Sequence, residues 1–283
     1  MTQILIQGLL LSGLYALIAI GFTLIFSVGR VLNLGYGVYP MLGGYTFFWI
    51  SQSLGAPKVV GIAAAAAIGA LMGVLKYQAI VRPLRGNHVA IEISTLIFAV
   101  VFQAAIVLVF GDSSKILHAI VNQVWLIDGV SVQVSNVVAA VASWTIILGL
   151  WLFVNRTHPG RAMMAVSMDA KGAAISGVDQ RRVLLLTWAI SGALGAVAGV
   201  FFASYTSLEP AMWVELLIIS VAVVIVGGIG SIWGTLIVAH IIGFLEVIST
   251  SLVAAELRGV FTMALIILVL IIRPQGLFGR SEL

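Results

Sequence analysis

The sequence predicts an all-α protein that crosses a lipid bilayer about eight or nine times, and three observations carry that expectation. Of 283 residues, 61% are hydrophobic and 8% charged, with a mean hydropathy of +1.19; a soluble domain carries charge on about 25% of its residues. Long apolar blocks recur along the whole chain, separated by short breaks rich in Gly, Pro and polar residues. The Lys and Arg residues gather in a few of those breaks, as they do where a membrane retains positive charge on one side. No polar linker is long enough to separate two domains, so residues 1–283 read as one membrane domain.

The first block, Met1 to Arg30, has neither a basic leading region nor a small-residue cleavage site, and reads as a membrane helix rather than a signal peptide. Gly8, Ser12 and Gly13 would let a second helix approach it closely. The pattern breaks at Asn33-Leu34-Gly35-Tyr36-Gly37, with Pro40 and Gly43-Gly44 behind, and apolarity resumes to about Ile50. That density of helix-weakening residues predicts a discontinuous helix, which survives in a membrane only when buried in protein or lining a cavity. Val59 to Val81 is the next span, closed by a basic cluster of Lys76, Arg82 and Arg85, and Val89 to Phe110 returns. Between Val124–Ile127 and Val130–Val134, Asp128-Gly129 is a two-residue turn of residues that accept positive φ, which predicts an external β-hairpin. Val137 to Val154 crosses back.

A basic island follows at about 155–182: Asn155 to Arg161, then Lys171, then Asp179-Gln180-Arg181-Arg182. Each charge at bilayer depth would cost about 2.5 to 3.5 kcal/mol, so the island lies in water, and its sign places it in the cytosol. Gly160 to Met168 suits one short helix; Asp169 suits the N-cap of another over Ala170 to Ser176, with Gly177 as its left-handed terminator. Such a pair is either a docking surface or a solvated loop that serves topology alone. Val183 to Ser207 is the next span, with Gly192, Gly195 and Gly199 along one packing face. Trp213 to Val226 is shorter, Gly227 to Gly234 interrupts the block that continues to about Leu252, and Gly259 to Ile272 is the last span. Threaded with the island inside, the path starts outside and ends inside, and of the 14 Lys and Arg only Lys58, Lys115 and Arg258 face out. Gly29 and Gly35 echo the spacing of Gly228 and Gly234, which nominates the two interruptions as a pathway: Asn33, Gly35, Tyr36, Gly37 and Val38, with Gly228, Gly230, Ser231 and Trp233.

Enzyme chemistry is not expected. The chain has no phosphate-binding Gly-rich loop ending in Gly-Lys-Ser/Thr, no His-Glu-x-x-His and no Gly-x-Ser-x-Gly, and with 0 Cys it offers no thiolate, so no catalytic residue, cofactor or metal is predicted. No basic patch with interleaved aromatics suggests nucleic acid. Glu92, Glu215, His240 and Glu246 are ionisable residues in apolar stretches, each open to a pathway role or to a packing hydrogen bond. His240 and Glu246 are about 120° apart around a helix and do not form a simple pair.

Several segments in this order resemble the permease family of branched-chain amino acid ABC importers: Tyr15 to Gly21, the break from Asn33 to Tyr45, Arg82-Pro83-Leu84, the island from Gly160-Arg161-Ala162 to Gly177, Ala196 to Val200, Gly227 to Gly234, and Arg273-Pro274-Gln275-Gly276-Leu277-Phe278-Gly279. The resemblance implies a translocation subunit in a bacterial cytoplasmic membrane, working with a second permease of different sequence, two cytosolic ATP-binding subunits and an extracytoplasmic substrate-binding protein. It further implies that Gly160, Arg161, Met164, Met168, Asp169, Lys171, Ala173, Ala174 and Gly177 form the coupling segment that seats on the ATPase. After Asn33 the family often has Ala-His-Gly-Glu, where this chain has Gly35-Tyr36-Gly37-Val38. That departure leaves branched-chain amino acids beside carboxylates, aromatic acids, urea or short amides as substrates. A stand-alone secondary transporter or channel is the alternative class, and it gives the island no task.

Overall fold

The computed structural model describes residues 1–118, 120–228, 230–252, 259–273 and 275–278. Arg258 of the topology and Pro274 and Gly279 of the resemblance lie outside the described residues.

Helix α1 (Thr2–Gly29) is the axle of the molecule. Over its most apolar 18-residue window it is 89% buried, against 17% for α4 (His88–Phe110), so α1 packs on protein all round whereas α4 stands at the periphery. Small residues make that packing possible. A Cβ added to Gly243 of α10 (Ile232–Leu252) would fall 2.7 Å from Ser12 Cα, and Gly8 leaves room for the ring of Phe244. Thr23 and Thr235 join the two helices through their hydroxyls at 2.8 Å. Between helices in lipid, where apolar contact has no water to exclude, such close approach and polar pairing supply the association.

Helix α2 (Val38–Phe47) continues as a π-helical turn, Phe48–Ser53, and α3 (Lys58–Lys76) ends in another, Tyr77–Val81. Both clasp α8 (Gln180–Tyr205). On α3, Gly61, Ala65, Gly69 and Gly73 recur every fourth residue on the buried face. Gly69 and Gly192 abut backbone to backbone, Gly73 abuts Trp188, and Gly199 abuts Pro40 of α2. The predicted Gly192–Gly199 face is therefore shared, its first glycine serving α3 and its later two serving α2.

The hairpin forms as expected, β1 (Val124–Ile127) against β2 (Val130–Gln133), with Asp128 at φ 49° and Gly129 at φ 79° in the turn. Val132 packs on Leu10 and Ala140, which fixes it beside the start of α1 and the start of α5 (Val134–Arg156). The opposite end gathers the other connections. Arg30 donates to the Ser167 carbonyl at 2.9 Å, Ser27 approaches the Gly230 carbonyl, and Leu277 N–H donates to Val226 at 2.8 Å. The end of α1, the island, the α9–α10 connection and the tail thus share one end, α9 being Met212–Gly227.

Among the described residues, six helices are long and apolar enough to cross a bilayer: α1, the α3 segment to Val81, α4, α5, α8 and α10. The α2 segment, α9 and α11 (Val260–Ile272) are shorter, and at 1.5 Å per residue the 13 residues of α11 reach only about 20 Å. One expectation is corrected. Lys76 does not belong to a basic cluster with Arg82 and Arg85: those two are exposed, whereas Lys76 is 0% exposed on the buried face of α3.

Candidate functional site

The break between α1 and α2 is built to be buried. Arg30 terminates α1 in the left-handed region at φ 51°, and the chain turns back into the helix bundle. Six residues later the Tyr36 hydroxyl donates to the Ile18 carbonyl at 2.9 Å, twelve residues back along α1 and so roughly 18 Å above Arg30. The segment between is non-helical, and its polar backbone is satisfied locally: Asn33 Oδ1 accepts from Gly35 N–H at 3.2 Å and the Asn33 carbonyl from Tyr36 N–H at 3.1 Å. Glycine is required twice, because a Cβ at residue 35 would strike the Thr95 carbonyl and one at residue 37 the Trp213 carbonyl. Asn33, Gly35, Tyr36, Gly37 and Val38 are all buried.

Against this break stands Lys76. Its Nζ donates to the Gly35 carbonyl at 2.8 Å and lies 4.4 Å from the Tyr39 ring centroid and 4.5 Å from that of Phe98. The Tyr39 hydroxyl and the Asn33 side-chain amide nitrogen are buried without a hydrogen-bond partner among the described residues. No described carboxylate is paired with Lys76. The result is a fully buried lysine amino group held inside the bundle by one carbonyl and two aromatic faces.

The second predicted interruption is placed differently. Gly228 is buried against Gly276 of the tail, Gly230 is exposed, Ser231 caps α10 by accepting from Gly234 N–H at 3.0 Å, and Trp233 is 65% exposed. No hydrogen bond between described residues joins this group to Asn33–Val38.

The island folds as two short helices. In α6 (His158–Met168) the Thr157 hydroxyl caps Gly160 N–H at 3.1 Å; in α7 (Ala170–Ile175) Asp169 caps Lys171 N–H at 2.9 Å, and Gly177 sits at φ 83° past the end. Gly160 packs on the α5 backbone and Ala173 is buried, so these two anchor the pair. Arg161, Met164, Asp169, Lys171, Ala174 and Gly177 are exposed, and Met168 and Ile175 present 75% and 88% of their surface.

Of the intramembrane ionisable residues, Glu246 is buried and accepts from the Thr262 hydroxyl at 3.3 Å. His240 Nδ1 donates to the Leu236 carbonyl at 2.7 Å, within its own helix, and its ring lies tilted against Trp144 with centroids 5.2 Å apart. Glu92 and Glu215 are half-buried.

The family model described as the permease component of branched-chain amino acid transport systems matches residues 4–270. The chain belongs to this permease family. Among its relatives, the high-affinity branched-chain amino acid transport system permease protein LivH of Salmonella typhimurium is 30% identical, the match covering 99% of this chain and 96% of the relative. The corresponding protein of Escherichia coli K12 shows the same identity and coverage, and BraD of Pseudomonas aeruginosa is 28% identical over 99% of this chain and 96% of its own. The ribose import permease RbsC of Haemophilus influenzae matches 62% of this chain at 29% identity, covering 53% of that relative. No solved structure matches. This permease is therefore a multi-pass membrane protein and a transport component rather than an enzyme.

Two features of the permease escaped the sequence reading. The α3 stripe from Gly61 to Gly73 was visible as a four-residue period of small residues. Lys76 carried no such signal, because a lysine near the end of an apolar run has the same sequence context whether it reaches water or turns inward.

Proposed function

We propose that this permease forms half of the translocation pathway of an ATP-driven ABC importer in a bacterial cytoplasmic membrane, and that its substrate carries a carboxylate. It would act with a second, different permease, two cytosolic ATP-binding subunits and an extracytoplasmic binding protein that delivers a branched-chain or related amino acid. The carrying observation is the α6–α7 pair: two capped helices outside the long spans, anchored through Gly160 and Ala173, with bare apolar tips at Met168 and Ile175. Exposed apolar side chains on a polar loop fit a groove in a partner. Arg30 links α6 to the end of α1, immediately before the break, so a push on the pair reaches the pathway through a short rigid connection.

The substrate reading rests on Lys76. Where the family often has a histidine and an acid, this chain has Tyr36 and Val38 with the buried Lys76 amino group alongside. That exchange favours a carboxylate over urea or a short amide and is compatible with amino acids, whose ammonium would point elsewhere.

The test is co-purification of this chain with a candidate partner ATPase. Ile175→Asp and Gly177→Arg are expected to lose the ATPase while inserting normally, and ATP-dependent uptake in proteoliposomes should fall with it. Undiminished ATPase capture by both variants, or uptake by this chain without nucleotide, would defeat the docking assignment.

A further inference from the structure

A cavity lies at the island end of the bundle. It has a volume of about 400 Å³ and opens between the end of α1, the π-helical turn after α3, the start of α4, α6 and α8. Its basic lining residues are Arg30, Arg85 and His88, and none of its lining residues is Asp or Glu. Arg30 spends one N–H on Ser167 and Arg85 one on the Tyr77 hydroxyl at 2.9 Å, which leaves each guanidinium with further donors. The first turn of α4, opening at His88 behind the Asn87 cap, turns its positive dipole end toward the same space.

An independent observation points to a ligand. The Trp188 side chain is 0% exposed, lines this cavity, and its indole Nε1 has no hydrogen-bond partner. That nitrogen lies 4.0 Å from where a Cβ on Gly29, another lining residue, would sit. A buried donor without an acceptor costs about 1–3 kcal/mol, a cost that an acceptor inside the cavity removes. Val31, Val81 and Leu184 supply apolar wall beside the charged groups. Val89 and Ile93 of the adjacent α4 face outward and are exposed, so an acyl chain can run alongside.

We propose that this cavity binds a phosphate-bearing anion, gripped by Arg30 and Arg85, with His88 and the Trp188 indole N–H completing the shell. Basic pockets between membrane helices at a bilayer surface hold anionic head groups in this way, and planar guanidinium groups match phosphate oxygens. The occupant ties α6 and the end of α1 to the α3–α4 corner, whose first residue after Lys76 is Tyr77. Occupancy therefore stiffens the connection between the island and the break. The inference stands whether or not the substrate carries a carboxylate.

The experiment uses the full-length chain in a neutral detergent, titrated with dioleoylphosphatidylglycerol or with the zwitterionic phosphatidylcholine and read by native mass spectrometry; a parallel arm measures thermal protection by inorganic phosphate. Wild type is expected to retain phosphatidylglycerol preferentially. Arg85→Gln should weaken retention about tenfold and Trp188→Phe about threefold, as expected for losing a charged and a neutral hydrogen bond respectively. His88→Gln, at an exposed helix start that tolerates substitution, provides a variant whose folding is not at risk. Arg82→Gln, exposed and outside the cavity, should change nothing. Equal protection by inorganic phosphate alone would assign the site to a soluble phosphate compound and uphold it as an anion site. Equal retention of the two lipids by wild type with no protection by phosphate overturns the proposal, as does unchanged binding in Arg85→Gln and His88→Gln together.

Discussion

Replacing Lys76 with methionine separates the folding role of the buried ammonium from its role in transport. Methionine has similar length and no charge. The substitution removes a charge-assisted hydrogen bond to Gly35, worth about 1.5–3 kcal/mol, and cation–π contacts to Tyr39 and Phe98, worth about 2 kcal/mol when desolvated. It also removes the desolvation penalty of a buried ion, several kcal/mol. These oppose one another at similar size, so the Lys76→Met chain should fold, with stability within roughly 2 kcal/mol of wild type. Transport has no such compensation. If Lys76 meets the substrate carboxylate, losing one partner of a buried charged pair costs about 2–5 kcal/mol, a fall in uptake efficiency of at least roughly 30-fold. The assay is ATP-dependent uptake of labelled substrate by the assembled importer in proteoliposomes, with thermal unfolding in detergent beside it. Uptake within threefold of wild type from a normally assembled Lys76→Met importer would falsify the carboxylate role.

The remaining expectations concern packing. Gly199→Ala drives a methyl into the Pro40 backbone and should destabilise by about 1–3 kcal/mol, whereas Gly149→Ala, with nothing within 4 Å, should be neutral or stabilising by up to about 1 kcal/mol; thermal melts in detergent compare them, and equal melting temperatures contradict the packing account. A double-mutant cycle of Thr23→Val and Thr235→Val should show a coupling of about 0.6 kcal/mol, reaching at most about 1.7. Strict additivity means that the hydroxyl pair contributes nothing.

The elements whose signals are local were legible before any coordinates. Asp169 and Gly177 bracket α7 because capping and left-handed termination are decided within a few residues, and Asp128-Gly129 turns the hairpin because few residues accept positive φ there. The break at Asn33–Gly37 was legible for the same reason. Pairing was not. That Gly192 meets Gly69 while Gly199 meets Pro40 depends on how three helices are arranged, and a stripe of glycines announces close approach without naming the partner.

Charge divides the two kinds of knowledge most clearly. From the sequence alone, the cost of a charge in hydrocarbon determined that this chain lives in a membrane and which loop stays in water. Only the tertiary structure decided that Lys76 is not one of the solvated cations. Whether a lysine's flexible stem carries its ammonium to water or into the bundle depends on the carbonyl and rings waiting there, and Gly35, Tyr39 and Phe98 reach it from segments distant along the chain.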